Sequence, residues 1–197
     1  MNLPNQLTVS RFGLTGLFLL ALLTEFPFHA TVALLLFALG SLTDYFDGML
    51  ARKHKLVTNF GILMDPLADK ILTGSAFIAF VELRSMSAWM VVIIVGRELA
   101  ITGLRLLAAT KHLVLAAEGF GKHKTVTQII CILCILTSMA YPTWGTLARS
   151  VLGAEILGGV PWLAVVTEAS KWAAVGLTLL SGSIYLWRNR ELYLRDM

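Results

Sequence analysis

Four aspartates stand close together in an otherwise apolar chain: Asp44 and Asp47 in DYFDG, then Asp65 and Asp69 in GILMDPLADK. Spacings of three and four residues put each pair on one face of a helix. The connection from Lys53 to Phe60 is short enough to make the two helices antiparallel neighbours, which brings four carboxylates towards one place. Carboxylates so close cannot all stay ionised away from bulk water unless positive charge lies among them. Arg52 and Lys70 supply part of that charge. Ligation by aspartate oxygens is what hard divalent cations such as Mg²⁺ or Mn²⁺ prefer, and Mg²⁺ commonly bridges carboxylates to phosphates. The spacing therefore suggests a two-metal site that holds a diphosphate. A structural charge network or a polar, cation-conducting pore would use the same four residues. Gly48 and Ala51, one turn on from the first pair, and Gly61, before the second, are small enough to let a substrate or another helix approach. Arg52 offers a planar donor fork suited to phosphate or a base edge.

The elements that must position these residues belong in lipid. Only 14% of the 197 residues are charged, against roughly 25% in soluble proteins, and the mean hydropathy is +0.76. The apolar runs predict an all-α membrane bundle, one domain over 1–197, with six spans: about Thr8 to Leu23, Ala30 to Arg52, Gly61 to Val81, Ser87 to Thr110, Lys124 to Ala140 and Trp162 to Trp187. A short interfacial segment, NLPNQLTVSR, precedes the first span. A cleavable signal peptide fits that beginning poorly, because it has one basic residue and no A-x-A-like site after its apolar run.

The net charge of +4 is distributed unevenly. Basic residues cluster at Arg52, Lys53 and Lys55, at Lys111, Lys122 and Lys124, and at Arg188, Arg190 and Arg195, whereas the alternate connections hold only Arg84 and Arg149. The positive-inside rule makes the basic connections cytoplasmic, with both termini inside. Snorkelling and anionic headgroups account for these charges better than nucleic acid does. The connection from Tyr141 to Pro161, rich in glycine, reads as a loop and a spacer. The C-x-x-C formed by Cys131 and Cys134 lies in an apolar run and reads as two small buried side chains.

The fourth span buries Arg97, Glu98 and Arg105. Ionisable groups within a span usually face a bundle interior or a wet cavity. For Arg97 and Glu98 an interhelical ion pair, with Arg97 reaching an aspartate of the second span, stands beside a functional role.

The residues Asp44, Asp47, Gly48, Ala51, Arg52, Gly61, Asp65 and Asp69 fill the pattern D-x-x-D-G-x-x-A-R, eight residues, G-x-x-x-D-x-x-x-D without departure. In this the chain resembles the CDP-alcohol phosphotransferases. The resemblance implies attack by an alcohol hydroxyl on the β-phosphate of a CDP-linked lipid, with CMP released. It implies that Asp44, Asp47 and Asp65 bind two divalent cations, that Asp69 is the general base and can also touch a metal, and that Gly48, Ala51, Arg52 and Gly61 line the nucleotide pocket.

Three further stretches, NLPNQLTVSR, GRELAITGLR and GKHKT, resemble the phosphatidylglycerophosphate synthase branch and extend the likeness over about the first two thirds of the chain. That branch implies CDP-diacylglycerol as donor and sn-glycerol 3-phosphate as acceptor, in the bacterial inner membrane, with a multi-pass chain, a cytoplasm-facing site and a homodimer. An acceptor phosphate needs cations: Arg105 first, with Lys122, Lys124, Arg11 and Arg97 as helpers. Headgroup attraction explains Lys122 and Lys124 equally well, and Asn5 and Thr8 either cap the first helix or touch substrate. The same chemistry on another acceptor, as in cardiolipin, phosphatidylserine or phosphatidylinositol phosphate synthases, is the nearest alternative. An ion transporter is the alternative of another class.

Overall fold

The computed structural model describes residues 3–54, 59–110, 120–156 and 158–190, with side chains over 10–43, 70–108, 123–156 and 158–190. It is mainly helical. Helices α1 (Leu3–Leu23), α2 (His29–His54), α3 (Asn59–Glu82), α4 (Ala88–Thr110), α5 (Phe120–Ala140) and α7 (Trp162–Arg188) are long, and α6 (Thr146–Leu152) is short. The long helices coincide with the six apolar segments to within a few residues.

Two features differ from the sequence expectation. The described part of NLPNQLTVSR is helical and continuous with the first apolar run, since α1 runs unbroken from Leu3. Pro4 sits in its first turn, where a missing N–H costs nothing, and no breaker follows. The connection expected as loop is also structured. A 3₁₀ turn (Tyr141–Thr143), α6 and a two-strand hairpin, β1 (Glu155–Ile156) with β2 (Val160–Pro161), occupy it. Glycines permit these turns: Gly145 opens α6 at φ 94°, and Gly158 and Gly159 turn the hairpin at 75° and 91°. Indole donors pin the cap, Trp162 Nε1 to the Val151 carbonyl at 2.7 Å and Trp144 Nε1 to Thr31 Oγ1 at 2.8 Å.

The bundle has a continuous apolar core in which Phe18 of α1, Phe37 of α2, Phe77 and Phe80 of α3, and Ile132 and Leu136 of α5 are fully buried. Cys131 is buried within it and Cys134 is half-buried, both as free thiols. The outer wall is apolar as well. Leu20, Leu39, Ile78, Val92, Leu106 and Leu180 each expose more than half of their surface, a pattern that suits lipid rather than water. Two described helical stretches, His123–Thr143 and Trp162–Arg188, are long and apolar enough to cross a membrane.

Between helices in lipid the hydrophobic effect supplies little drive, so close van der Waals packing against small residues must do the work. Ala33, Ala76, Ala79 and Ala174 are such residues in the core. Helices α2 and α3 approach closely at Gly40, where a Cβ would come within 2.9 Å of Leu72 Cδ2. Gly40→Ala needs only a rotamer shift of the flexible Leu72 end and should be nearly neutral. Gly40→Val should separate the helices and destabilise by about 1–3 kcal/mol. Thermal unfolding in detergent would show a lowered Tm for Gly40→Val, recovered in part by adding Leu72→Ala. An unchanged Tm would mean that this contact does not set the α2–α3 spacing.

Candidate active site

The contact of Gly40 with Leu72 fixes a register. Both residues lie about four turns from the short connection joining α2 to α3, so the helices run antiparallel. Towards the connection, Asp44 follows Gly40 by four residues and Asp47 by seven, while Asp69 precedes Leu72 by three and Asp65 by seven. At 1.5 Å per residue, positions 44 and 69 fall about 5 Å below the contact and positions 47 and 65 about 10 Å below it. Offsets of three, four and seven residues keep all four positions on the helix faces that meet at Gly40 and Leu72. The helical backbone thus carries both aspartate positions of α2 and both of α3 on the sides of these helices that approach at Gly40 and Leu72. The side chains of Asp44, Asp47, Gly48, Ala51, Arg52, Gly61, Asp65, Asp69 and Lys122 lie outside the described residues.

Directly after Asp69, Lys70 turns to α4 and donates from Nζ to Thr102 Oγ1. The Thr102 hydroxyl in turn donates to the Glu98 carbonyl at 2.7 Å. This bridge ties the aspartate end of α3 to the middle of α4.

The charged residues of α4 are placed by α5 and α7. Glu98, whose direction the sequence does not give, accepts an ion pair from Lys124 of α5 through Oε1. The same oxygen lies 3.4 Å from Arg97 Nη1. Lys124 is only 4% exposed. It is therefore not the solvated cation that headgroup attraction requires. One turn on, Gln128 Nε2 donates to Thr178 Oγ1 of α7 at 3.2 Å, both groups buried. The aliphatic stem of Arg97 crosses α7 at Gly182, where a Cβ would meet Arg97 Cγ at 2.8 Å.

Arg105, two turns further along α4, is exposed. Its Nε approaches the hydroxyl of Tyr185 at 3.4 Å, and its guanidinium carbon lies 5.7 Å from the centre of that ring. Tyr185 is buried with Ile101 and Leu104, so the arginine rests on a fixed aromatic wall. Arg11 of α1 is 3% exposed, and its carbonyl accepts from Thr15 Oγ1 at 2.8 Å. Thr8 lies in the second turn of α1, past any capping position, and Asn5 lies in the first.

Sequence spacing pointed to the aspartates and basic residues but missed Gln128, Thr178, Gly182 and Tyr185, the residues against which those on α4 and α5 are set. Gly182 and Thr178 read as ordinary small residues of an apolar run, and only Tyr185, polar near the end of α7, carried a signal. The donor set at the α2–α3 seam, two aspartates from each of two antiparallel helices, fits hard divalent cations in number and chemistry.

Glu98, half-buried, is the shared counter-charge of Arg97 and of the buried Lys124. Its removal should cost about 3 kcal/mol, because it takes this counter-charge from the buried Lys124 ammonium. Glu98→Ala should therefore unfold at lower temperature in detergent than Glu98→Leu combined with Lys124→Met, which removes both charges. If the single variant is the more stable, the pair does not hold α4 to α5.

Residues 1–180 match the family described as CDP-alcohol phosphatidyltransferase. The chain is 36% identical to the CDP-diacylglycerol–glycerol-3-phosphate 3-phosphatidyltransferase of Bacillus subtilis (strain 168), over 96% of each chain. It is 32% identical to the enzyme of the same name from Rickettsia bellii (strain RML369-C), over 93% of each. A third relative so named, from Cereibacter sphaeroides, is 30% identical over 99% of this chain and 98% of its own. With a match this extensive, the chain belongs to the CDP-alcohol phosphatidyltransferase family.

Proposed function

We propose that the chain transfers the phosphatidyl group of CDP-diacylglycerol to sn-glycerol 3-phosphate, giving phosphatidylglycerol phosphate and CMP. The observation that carries this reading is full-length similarity to relatives named for that reaction. The α2–α3 seam supplies the setting for the chemistry. Asp44, Asp47, Asp65 and Asp69 would hold two divalent cations, Mg²⁺ or Mn²⁺, which when bound neutralise the diphosphate and make CMP a better leaving group. Asp69, with one oxygen kept for the acceptor, takes the proton of the glycerol hydroxyl. The freed oxygen attacks the β-phosphorus, and the bond from that phosphorus to the oxygen of CMP breaks. Gly48, Ala51, Arg52 and Gly61 form the nucleotide side of the site.

The acceptor phosphate falls to Arg105. With Nε turned to Tyr185, its terminal nitrogens are the edge a phosphate meets. Lys122, Lys124, Arg11 and Arg97 add positive potential, Lys124 from its buried pair with Glu98. On the proposed topology of six spans with the basic connections inside, the site faces the cytoplasm from a bacterial inner membrane. The lipid donor enters sideways with its acyl chains in the bilayer, and two copies form a homodimer.

CMP release by the purified protein, with CDP-diacylglycerol and Mg²⁺, tests the reading when glycerol 3-phosphate, phosphatidylglycerol, serine and inositol phosphate are supplied separately. Release is expected only with glycerol 3-phosphate and is abolished by Asp69→Asn. Arg105→Ala should raise the KM for glycerol 3-phosphate about tenfold or more, the worth of a charge-assisted contact, and leave that for CDP-diacylglycerol nearly unchanged. Release with a different acceptor would preserve the chemistry and overturn the substrate. Both KM values unchanged in Arg105→Ala would remove that residue from the acceptor site.

A further inference from the structure

At the end of the bundle opposite the aspartates, α3 closes with a turn that a glycine ordinarily makes. Arg84 N donates to the Val81 carbonyl at 3.0 Å and Ser85 N to that of Phe80 at 2.8 Å, with Arg84 in the left-handed region at φ 53°. This is the helix-ending pattern whose left-handed residue is usually glycine, because a side chain there is strained. An arginine in that place calls for a role.

Arg84 lines two adjoining cavities of about 410 and 260 Å³, together with Ser85, Glu168 and Lys171. Lys171 is mostly buried and donates to Glu168 Oε1 at 2.6 Å, while the Glu168 side chain is 61% exposed. The larger cavity shares Val81 and Ala88 with an apolar groove of about 600 Å³, which runs from that level towards the bundle middle past Leu19, Ile78 and Val92. A cationic pocket at the end of the helices therefore opens into an apolar channel leading to their centre. Within the two cavities two cations face one carboxylate, which favours an anion there, while Glu168 and Glu82, which lines the adjoining groove, can accept from an ammonium or hydroxyl beside it.

The geometry points to a phospholipid-binding site, separate from the proposed active site. The phosphodiester lies between Arg84 and Lys171, the headgroup amine or hydroxyl meets Glu168, and an acyl chain fills the groove of Ile78 and Val92. On the orientation proposed above, the lipid belongs to the outer leaflet.

Native mass spectrometry of the delipidated full chain tests this with phosphatidylethanolamine, diacylglycerol and inorganic phosphate as separate probes. The unaltered chain should retain phosphatidylethanolamine at concentrations where neither other probe stays bound. Arg84→Gly, which suits the left-handed turn and so should fold at least as well, is expected to weaken retention about tenfold. Val92→Trp, which fills the groove from an exposed position, should do the same, and both variants should keep parental CMP release. Equal retention by either variant would overturn the site. So would diacylglycerol bound as tightly as the phospholipid, or inorganic phosphate bound as tightly, which would make it a plain anion pocket.

Discussion

Charge inside a lipid-facing bundle must travel with its counter-charge, and much of this architecture follows from that constraint. Helix α4 cannot hold Arg97 and Glu98 against hydrocarbon alone. Lys124 of α5 answers the carboxylate, and α7 leaves room for the Arg97 stem at Gly182. Gln128 and Thr178 add a buried hydrogen bond between α5 and α7 on the same side. These polar contacts join α4, α5 and α7, helices that also give Ile94, Ile132, Leu136 and Ala174 to the apolar core shared with α1, α2 and α3. Lys70 extends the polar framework to α3 through Thr102. The seam that carries the aspartates is thereby braced from outside itself.

The division of labour between glycine and bulk follows from the solvent. A soluble bundle can rely on expelling water from its core, whereas helices in lipid gain little by exchanging one apolar neighbour for another. Shape must then decide which helices meet. Among the described residues of the long helices, Gly40 against Leu72 and Gly182 against Arg97 are places where a missing side chain admits a neighbouring one. The first lets α2 and α3 approach where Leu72 meets Gly40. The second lets a long cation lie flat between two helices instead of forcing them apart.

How much of this could be read from sequence varied with the range of the interaction. Helices and their limits were legible because apolar runs and their breakers act locally, and the aspartate pairs because offsets of three and four residues share a helix face. Partnerships across helices were not legible. Nothing along the chain says that Glu98 meets Lys124 as well as the adjacent Arg97, since that partnership depends on where α5 packs. For the same reason Tyr185, eighty residues from Arg105, stood out as polar in an apolar run without showing its partner. The connection before α7 misled in a different way: its glycines mark turns, and turns separated by enough ordinary residues leave room for a short helix and a hairpin.

Burial sorts the basic residues by what they can do. Lys124 is enclosed and paired with a carboxylate, so any ligand competing for its ammonium must displace Glu98 or come in beside it. It contributes potential and position more readily than direct contact. Arg105 is exposed, and its aromatic partner engages one edge and the face of the guanidinium while orienting the whole group. An arginine steadied in this way loses less entropy on binding a phosphate than one waving in solvent, and its planar fork gives direction as well as charge. Within the proposed reaction, that makes α4 the helix that aims the acceptor and the α2–α3 pair the one that receives the donor.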